Sequence, residues 1–221
     1  MIPTGHSPVN PPESMPKKPP VPEPPVAEAS PAGRRSARDR VFETASDLFY
    51  RKGIRAVGVE AIAAEANTTK MSLYRNFPSK DELVAAWLRD HDAKFWLRWD
   101  AMTQKHPDDP GKQLLAAFTL LSKHMADPEA RGCPMANTAV EITEADHPAR
   151  KVIEDHKAEL RRRLAALCAA LGAPDARSLA DQLFLLMEGA HVSSQLPGAR
   201  VPASNLLRAA SALIEAGIKA A

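Results

Sequence analysis

The 221-residue sequence lacks any apolar run approaching the roughly 20 residues that a membrane-spanning helix needs. Its first residues also lack an apolar signal core, so we expect neither a membrane span nor a secretory signal. Cysteine is nearly absent, since Cys133 and Cys168 are the only two. Two cysteines make neither a disulfide framework nor a zinc site, and they favour a reducing, cytoplasmic location.

Motifs of enzymatic chemistry are missing as well. The sequence contains no glycine-rich nucleotide loop, no G-x-S-x-G nucleophile motif and no set of acid, base and nucleophile in its C-terminal part. We therefore expect no catalytic residue, no metal and no cofactor. Glu144, Asp146, His147 and His156 are metal-ligand types, but their spacing fits no metal motif and is typical of a solvated junction between loop and helix.

Proline is abundant, and it is concentrated at the start of the chain. More than half of the 20 prolines lie within residues 1–33. Proline fixes φ and lacks an amide donor, and this segment has little apolar surface to offset the entropy of ordering. We predict a disordered tail over 1–33 that favours polyproline II and acts as a spacer or, alternatively, as a ligand for a proline-recognising domain.

After Gly33 the hydrophobic periodicity is helical almost to the end of the chain. No stretch sustains the alternation that a half-buried strand shows. Helical spacing, interrupted by glycine and proline, predicts an all-α fold of about nine helices. After three short helices, the longer ones are expected near 80–104, 111–126, 134–145, 148–171, 176–195 and 203–219.

Positive charge is unevenly distributed along the chain. The formal net charge is +2, yet residues 34–80 contain ten Lys and Arg against five Asp and Glu. Such a basic region is typical of a surface that binds a polyanion, although ordinary fluctuation of surface charge gives similar counts. Arg34, Arg35, Arg38 and Arg40 would then form either an arm for the minor groove of DNA or a non-specific attraction for phosphates.

Three short helices are predicted within this basic region, and a tight turn separates the second from the third. Asn67 tolerates the left-handed backbone that such a turn needs. Thr68 or Thr69 can cap the third helix, and Leu73 and Phe77, four residues apart, can anchor it to a core. This order of elements is typical of a helix-turn-helix motif.

The other face of the third helix suits a DNA groove better than a protein core. Lys70 lies in the first turn, where backbone donors also attract phosphate, and Tyr74 can donate to a phosphate. Ser72, Arg75 and Met71 can reach base edges or a thymine methyl. We place the helix-turn-helix at about 58–77 in a DNA-binding domain at 34–80. The predicted DNA-binding residues are Thr68, Thr69, Lys70, Met71, Ser72, Tyr74, Arg75, Asn76 and Lys80.

A resemblance to the N-terminal DNA-binding domain of the TetR family of bacterial repressors extends over RDRVFETASDLFYRKGIRAVGVEAIAAEANTTKMSLYRNFPSKDELVAAWL. It rests on LF-x3-G, IA-x2-A and K-x2-LY-x2-F-x-SK-x2-L at fixed spacing. The resemblance implies a dimeric, all-helical repressor of double-stranded operator DNA that a small-molecule inducer releases. The sequence departs from the family pattern at Gly58, where Ser or Thr usually caps, at Asn67, where Gly is common, and at Met71, where a small residue is usual.

The remainder, 81–221, is predicted to be a helical domain for ligand binding and dimerisation. All three Trp fall in one predicted helix, where they form either ordinary core or the wall of a cavity. The predicted cavity residues are Trp87, His91, Phe95, Trp96, Trp99, Phe118, His124, Met125 and Cys133. A cysteine near a helix N-terminus can have a lowered thiol pKa and sense oxidants, so Cys133 is either a sensor or a structural residue.

The last two predicted helices carry wide apolar faces. Ala180, Gly189, Ala190 and Ser193 would allow a close four-helix seam between two copies, or else burial within one chain. The leading hypothesis is a ligand-responsive regulator, most simply a repressor, that binds a palindromic operator as a homodimer. The alternative is an α-helical enzyme or small-molecule carrier that does not bind DNA. The exposed groups of the third helix favour the regulator, because an enzyme has no need of them.

Overall fold

The computed structural model describes residues 35–196 and 203–219, and the predicted tail over 1–33 lies outside them. The all-α prediction is confirmed for the described part of the chain, which forms nine helices and no strand. None of these helices is both long enough and apolar enough to cross a membrane. In chain order they are α1 (Ala37–Lys52), α2 (Val59–Glu65), α3 (Lys70–Asn76), α4 (Lys80–Thr103), α5 (Pro110–Ala126), α6 (Pro134–Glu141), α7 (Pro148–Ala170), α8 (Ala176–Ser193) and α9 (Ala203–Lys219).

Local capping chemistry sets several helix ends. The Ser79 hydroxyl accepts the amide of Glu82 at 3.0 Å, which confirms the predicted start of α4. Gly58 precedes α2 without a side-chain cap, as its missing hydroxyl predicts. The prediction for α6 was too long, because this helix ends at Glu141 and Ile142 leaves it in extended conformation with its side chain buried.

Two buried clusters hold the helices together. The first joins α1, α2, α3 and the first half of α4 to residues of α6 and α7, among them Met135 and Ile153. The second joins Trp99 to α5, α8, α9 and the last half of α7. At 1.5 Å per residue the 24 residues of α4 extend about 36 Å, so this helix contributes to both clusters. The first cluster continues past residue 80, where the sequence predicts the end of the DNA-binding domain.

Candidate functional site

The helix-turn-helix forms as the sequence predicts. Asn67 adopts φ 50° and is the non-glycine residue with positive φ in the described part of the chain. Of the two candidate caps it is Thr69 that serves, because its hydroxyl accepts the amide of Ser72 at 3.1 Å. Leu73 and Phe77 are 0% and 3% exposed, so they fix α3 against the first cluster. This anchoring determines which face of α3 points outward.

The outward face of α3 carries most of the predicted DNA-binding groups. Met71 is 74% exposed and Tyr74 is 40% exposed, so both large side chains are accessible to a binding partner. Lys70 and Arg75 are exposed as well. Thr69 is also exposed, while Thr68, Ser72 and Asn76 are half-buried. The arrangement presents two cations, a phenol and a thioether on one short, rigid helix.

Two of the predicted phosphate-binding lysines have partners within the chain. Lys70 forms an ion pair with Glu60 of α2, but both side chains are more than half exposed, so the pair is easily exchanged for a phosphate. Lys80 is less accessible, since its Nζ donates to the Ile54 carbonyl at 2.6 Å. Burial lowers the pKa of Lys80 from its ordinary value. Lys80 therefore holds the turn between α1 and α2, and its contact with DNA stays a prediction.

The proposed basic arm is folded against its own domain. Arg38 places its guanidinium 5.1 Å from the centre of the Phe77 ring, and Arg40 donates to the Ala66 carbonyl at 3.2 Å. Arg35 pairs with Glu43, whereas Arg34 lies outside the described residues. The three described arginines thus stabilise the start of α1, and a role in the minor groove stays a prediction.

A cavity of about 850 Å³ lies between α1, α4, α5, the start of α6, and α8. That volume is within the range of natural small-molecule sites. Trp87, His91, Phe95 and Trp99 follow one face of α4 at spacings of four residues and form one wall. With His124 and Cys133, these are the predicted cavity residues that line the space.

Three predicted cavity residues lie elsewhere. Phe118 and Met125 are 0% and 4% exposed and pack in the second cluster. Trp96 is one residue, or about 100°, around the helix from Phe95, so it contacts α7 instead. Its ring lies 4.3 Å from the Arg163 guanidinium and 5.4 Å from the His156 ring.

The wall contributed by α1 is absent from the sequence prediction. Phe42, Ser46 and Tyr50 line the cavity, although they belong to the first helix of the DNA-binding region. Their spacing of four residues, beside the buried stripe of α1, was a signal of a second contact surface. Met187 and His191 of α8 were also missed. The cavity therefore touches the DNA-binding region directly, without an intervening layer of protein.

Two cavity histidines are held uncharged at neutral pH. Burial, reinforced by nearby His156 and Arg98, lowers the pKa of His91 from 6.5 to about 4. Burial, reinforced by Lys157 and His124, lowers the pKa of His191 from 6.5 to about 3. His124 places its Nε2 3.2 Å from the Gly132 carbonyl, which makes that nitrogen the donor. The cavity therefore offers imidazole groups that can donate hydrogen bonds without carrying charge.

Acid is expected to destabilise the protein through these histidines. Between pH 6.5 and about 4, His91 and His191 bind protons in the unfolded chain but remain unprotonated in the folded chain. The free energy of unfolding should therefore fall with falling pH, by up to about 1.4 kcal/mol per pH unit for each group. Urea titrations at pH 7, 6 and 5 measure this slope. A His91→Gln/His191→Gln variant should have a shallower slope, and equal slopes would contradict the assignment.

Cys133 also lines the cavity, at the N-terminus of α6. Of the two alternatives for Cys133, burial favours the structural one, because it raises the pKa of the Cys133 thiol above its ordinary value. Burial likewise raises the pKa of Cys168 to about 11. Both cysteines are free and buried, and they serve as apolar packing groups.

Three of the four residues that resemble metal ligands, His156, His147 and Glu144, form separate contacts. His156 places its Nδ1 2.7 Å from an Asp92 oxygen, and His147 lies 3.4 Å from Asp81. Glu144 pairs with Arg55 at 3.6 Å. These contacts connect α7 and the segment before it to α4 and to the turn between α1 and α2.

A carboxylate from α6 binds the turn between α1 and α2. Glu141 accepts the amides of Ile54 and Arg55 at 2.7 and 3.0 Å. Gly53 permits the approach, because its φ of 85° and ψ of 158° suit glycine and a Cβ there would lie 3.0 Å from a Glu141 oxygen. Since α6 begins at Cys133 and Pro134 beside the cavity, one short helix connects the cavity to the turn.

A Gly53→Ala variant is expected to lose about 1–3 kcal/mol of unfolding free energy, because alanine is strained at this φ and crowds Glu141. Gly172→Ala is the matched control, since Gly172 shares the φ of 85° but has nothing near its Cβ position. Thermal denaturation of both variants compares alanine at a positive φ with and without a crowded neighbour. Equal losses would show that Glu141 is not crowded.

Known proteins share this architecture. A family model described as bacterial regulatory proteins of the tetR family matches residues 41–87, and a second, described as tetracyclin repressor-like C-terminal domain, matches residues 110–210. A TetR-family transcriptional regulator from Streptomyces coelicolor is 27% identical and superposes with a TM-score of 0.78, over 82% of this chain and 96% of the other.

Two further proteins are similar to this chain. A TetR-type regulator from Streptomyces avermitilis is 29% identical with a TM-score of 0.72, over 83% of this chain and 98% of the other. An HTH-type transcriptional regulator of Lactococcus lactis is 26% identical over 146 residues, which are 62% of this chain and 70% of that protein. With both family models matched and a shared fold over nearly the whole length of the solved relatives, the chain belongs to the TetR family of bacterial transcriptional regulators.

Proposed function

We propose that this regulator acts in the cytoplasm as a repressor that a small molecule releases from a palindromic operator. The observation that carries DNA binding is the outward face of α3. Met71, Tyr74 and Arg75 project there, while Leu73 and Phe77 hold the helix rigid. A small-molecule carrier would need only the cavity, and the exposed side chains of α3 would have no function in such a protein.

A homodimer would present two such helices to successive major grooves, roughly 34–36 Å apart. An exposed apolar stripe on α8 supports such a dimer, since Leu185 and Val192 lie on one helical face and are 67% and 58% exposed, and Leu196 just beyond the helix is 55% exposed. Gly189 lies within this stripe with open space around it. The seam would use this face, because Ala180 and Ala190 are already buried within the chain.

The inducer would act through two helices. One is α4, which begins at Lys80 beside α3 and forms a wall of the cavity from Trp87 to Met102. The other is α6, which begins at the cavity and ends on the turn between α1 and α2. A ligand can shift DNA affinity only by binding two conformations unequally, and such coupling is typically 1–3 kcal/mol, or about 5–150-fold.

The test of this function is selection from random duplex DNA followed by transcription from a reporter. We expect enrichment of a two-fold symmetric sequence, bound about 1,000-fold or more tightly than random duplex at physiological salt. The reporter should be repressed when that sequence overlaps its promoter, and activation there would overturn the repressor assignment. A failure to enrich any sequence would reject specific DNA binding and favour the carrier.

A further inference from the structure

The charged side chains that line the cavity differ in whether they have a partner within the chain. This difference indicates the charge of the ligand. Its walls are mainly apolar, with Phe42 from α1, Trp87 and Trp99 from α4, Leu121 from α5 and Met187 from α8. Such walls require a ligand with a large apolar body. The polar groups then decide what charge that body carries.

The acidic residues around the cavity already have partners. Asp47 lies 2.7 Å from Arg51, and Asp90 lies 2.7 Å from Lys94. Glu43 pairs with Arg35, and Asp127 accepts the amide of Glu129 at 2.9 Å. Three of these four carboxylates are thus matched by a cation, and Asp127 is the one whose partner is a neutral backbone amide.

Two basic residues of the lining are different. Arg98 of α4 and Lys123 of α5 have neither an ion-pair partner nor a hydrogen-bond partner within residues 35–196 and 203–219. Arg98 lies near enough to His91 to disfavour its protonation. Both side chains are exposed at the mouth of the cavity, so a ligand can reach them without breaking any contact within the protein.

We propose that the cavity takes an apolar organic anion, namely an aromatic or aliphatic body with one carboxylate, whose charge is met by Arg98 and Lys123. The body lies against the tryptophan wall, and the carboxylate lies at the mouth. The proposal rests on the proposed function only in taking this cavity as the inducer site. Burial lowers the pKa values of His91 and His191, so their uncharged imidazole N–H groups can donate to an oxygen of the ligand.

The test uses three probes that share one ring system and differ in charge. Isothermal titration calorimetry at neutral pH compares 2-naphthoate, 2-naphthamide and 2-(aminomethyl)naphthalene, without DNA. We expect 2-naphthoate to bind on the order of tenfold more tightly than the amide, the effect of one charge-assisted contact, and the amine to bind most weakly. An Arg98→Gln/Lys123→Gln variant should lose this preference, and its exposed positions make a folding defect easy to exclude by circular dichroism. Lys105→Gln, an exposed change outside the cavity lining, should keep the preference.

Three results would overturn the proposal. They are an amide or amine that binds as tightly as the acid, a double variant that keeps the preference, and a 2-naphthoate that fails to bind at millimolar concentration. None of these results bears on operator binding, because no DNA is present. Conversely, 2-naphthoate that binds the cavity but leaves operator affinity unchanged would count against ligand-controlled repression and would leave the ligand class standing.

Discussion

Replacing Lys70, Tyr74 and Arg75 together with alanine is expected to weaken operator binding by at least about a hundredfold. Arg75→Ala or Tyr74→Phe alone should cost about 1–3 kcal/mol of binding free energy. All three positions are exposed, and Leu73, which anchors α3, is untouched. The fold should therefore survive, so that fluorescence anisotropy with the selected operator reports recognition alone. Unchanged affinity in the triple variant would reject α3 as the recognition helix.

Glu60 supplies a control of opposite sign. Its carboxylate pairs with Lys70 in the free protein, and that contact lowers the pKa of Glu60 and raises the pKa of Lys70. Glu60→Gln frees Lys70 for a phosphate and removes a negative charge beside the DNA. We expect tighter binding of all duplexes with little change in sequence preference, since phosphate contacts do not read bases. Weaker binding would mean that the pair positions Lys70 for DNA.

Features set by neighbouring residues were predictable from the sequence. The Ser79 cap, the left-handed turn at Asn67 and the anchors of α3 each depend on a few adjacent positions. The cavity wall at Trp87, His91, Phe95 and Trp99 was predictable because four-residue spacing keeps side chains on one helical face. Trp96 was assigned to the cavity because of its residue type, and its phase on the helix directs it to α7 instead.

Features that depend on distant segments left little trace in the sequence. The walls from α1 and α8 depend on how helices cross, and the half-buried Phe42 and Tyr50 gave only a periodic hint. Glu141 gave none, because its partners are backbone amides 87 and 86 residues earlier in the chain. Every residue except proline carries the same backbone amide donor, so no residue type in the sequence indicates such a contact.

Glu141 is also the residue whose loss should separate ligand binding from DNA release. Glu141→Ala removes the carboxylate oxygen that accepts both amides of the turn after α1, and the Lys80 contact with the Ile54 carbonyl then remains. Glu141 does not line the cavity, so ligand affinity of the free protein should change less than about threefold, within the scatter of distant substitutions. The ligand-induced drop in operator affinity should shrink below its full value of about 5–150-fold, because only the contact made by α6 is lost.

Arg55→Ala is the matched control for this variant, because it removes the exposed pair with Glu144 and leaves the Arg55 amide bonded to Glu141. Operator affinity is measured for both variants with and without a ligand identified by quenching of tryptophan fluorescence. Reciprocity requires that operator DNA weaken ligand binding by the same factor, so the two titrations check each other. If Glu141→Ala keeps the full drop, the signal must pass through α4 or through α1, because both helices line the cavity and continue to connect it to α3. If Arg55→Ala loses the drop as well, the coupling also requires the side-chain pair with Glu144, and the loss is not specific to the Glu141 carboxylate.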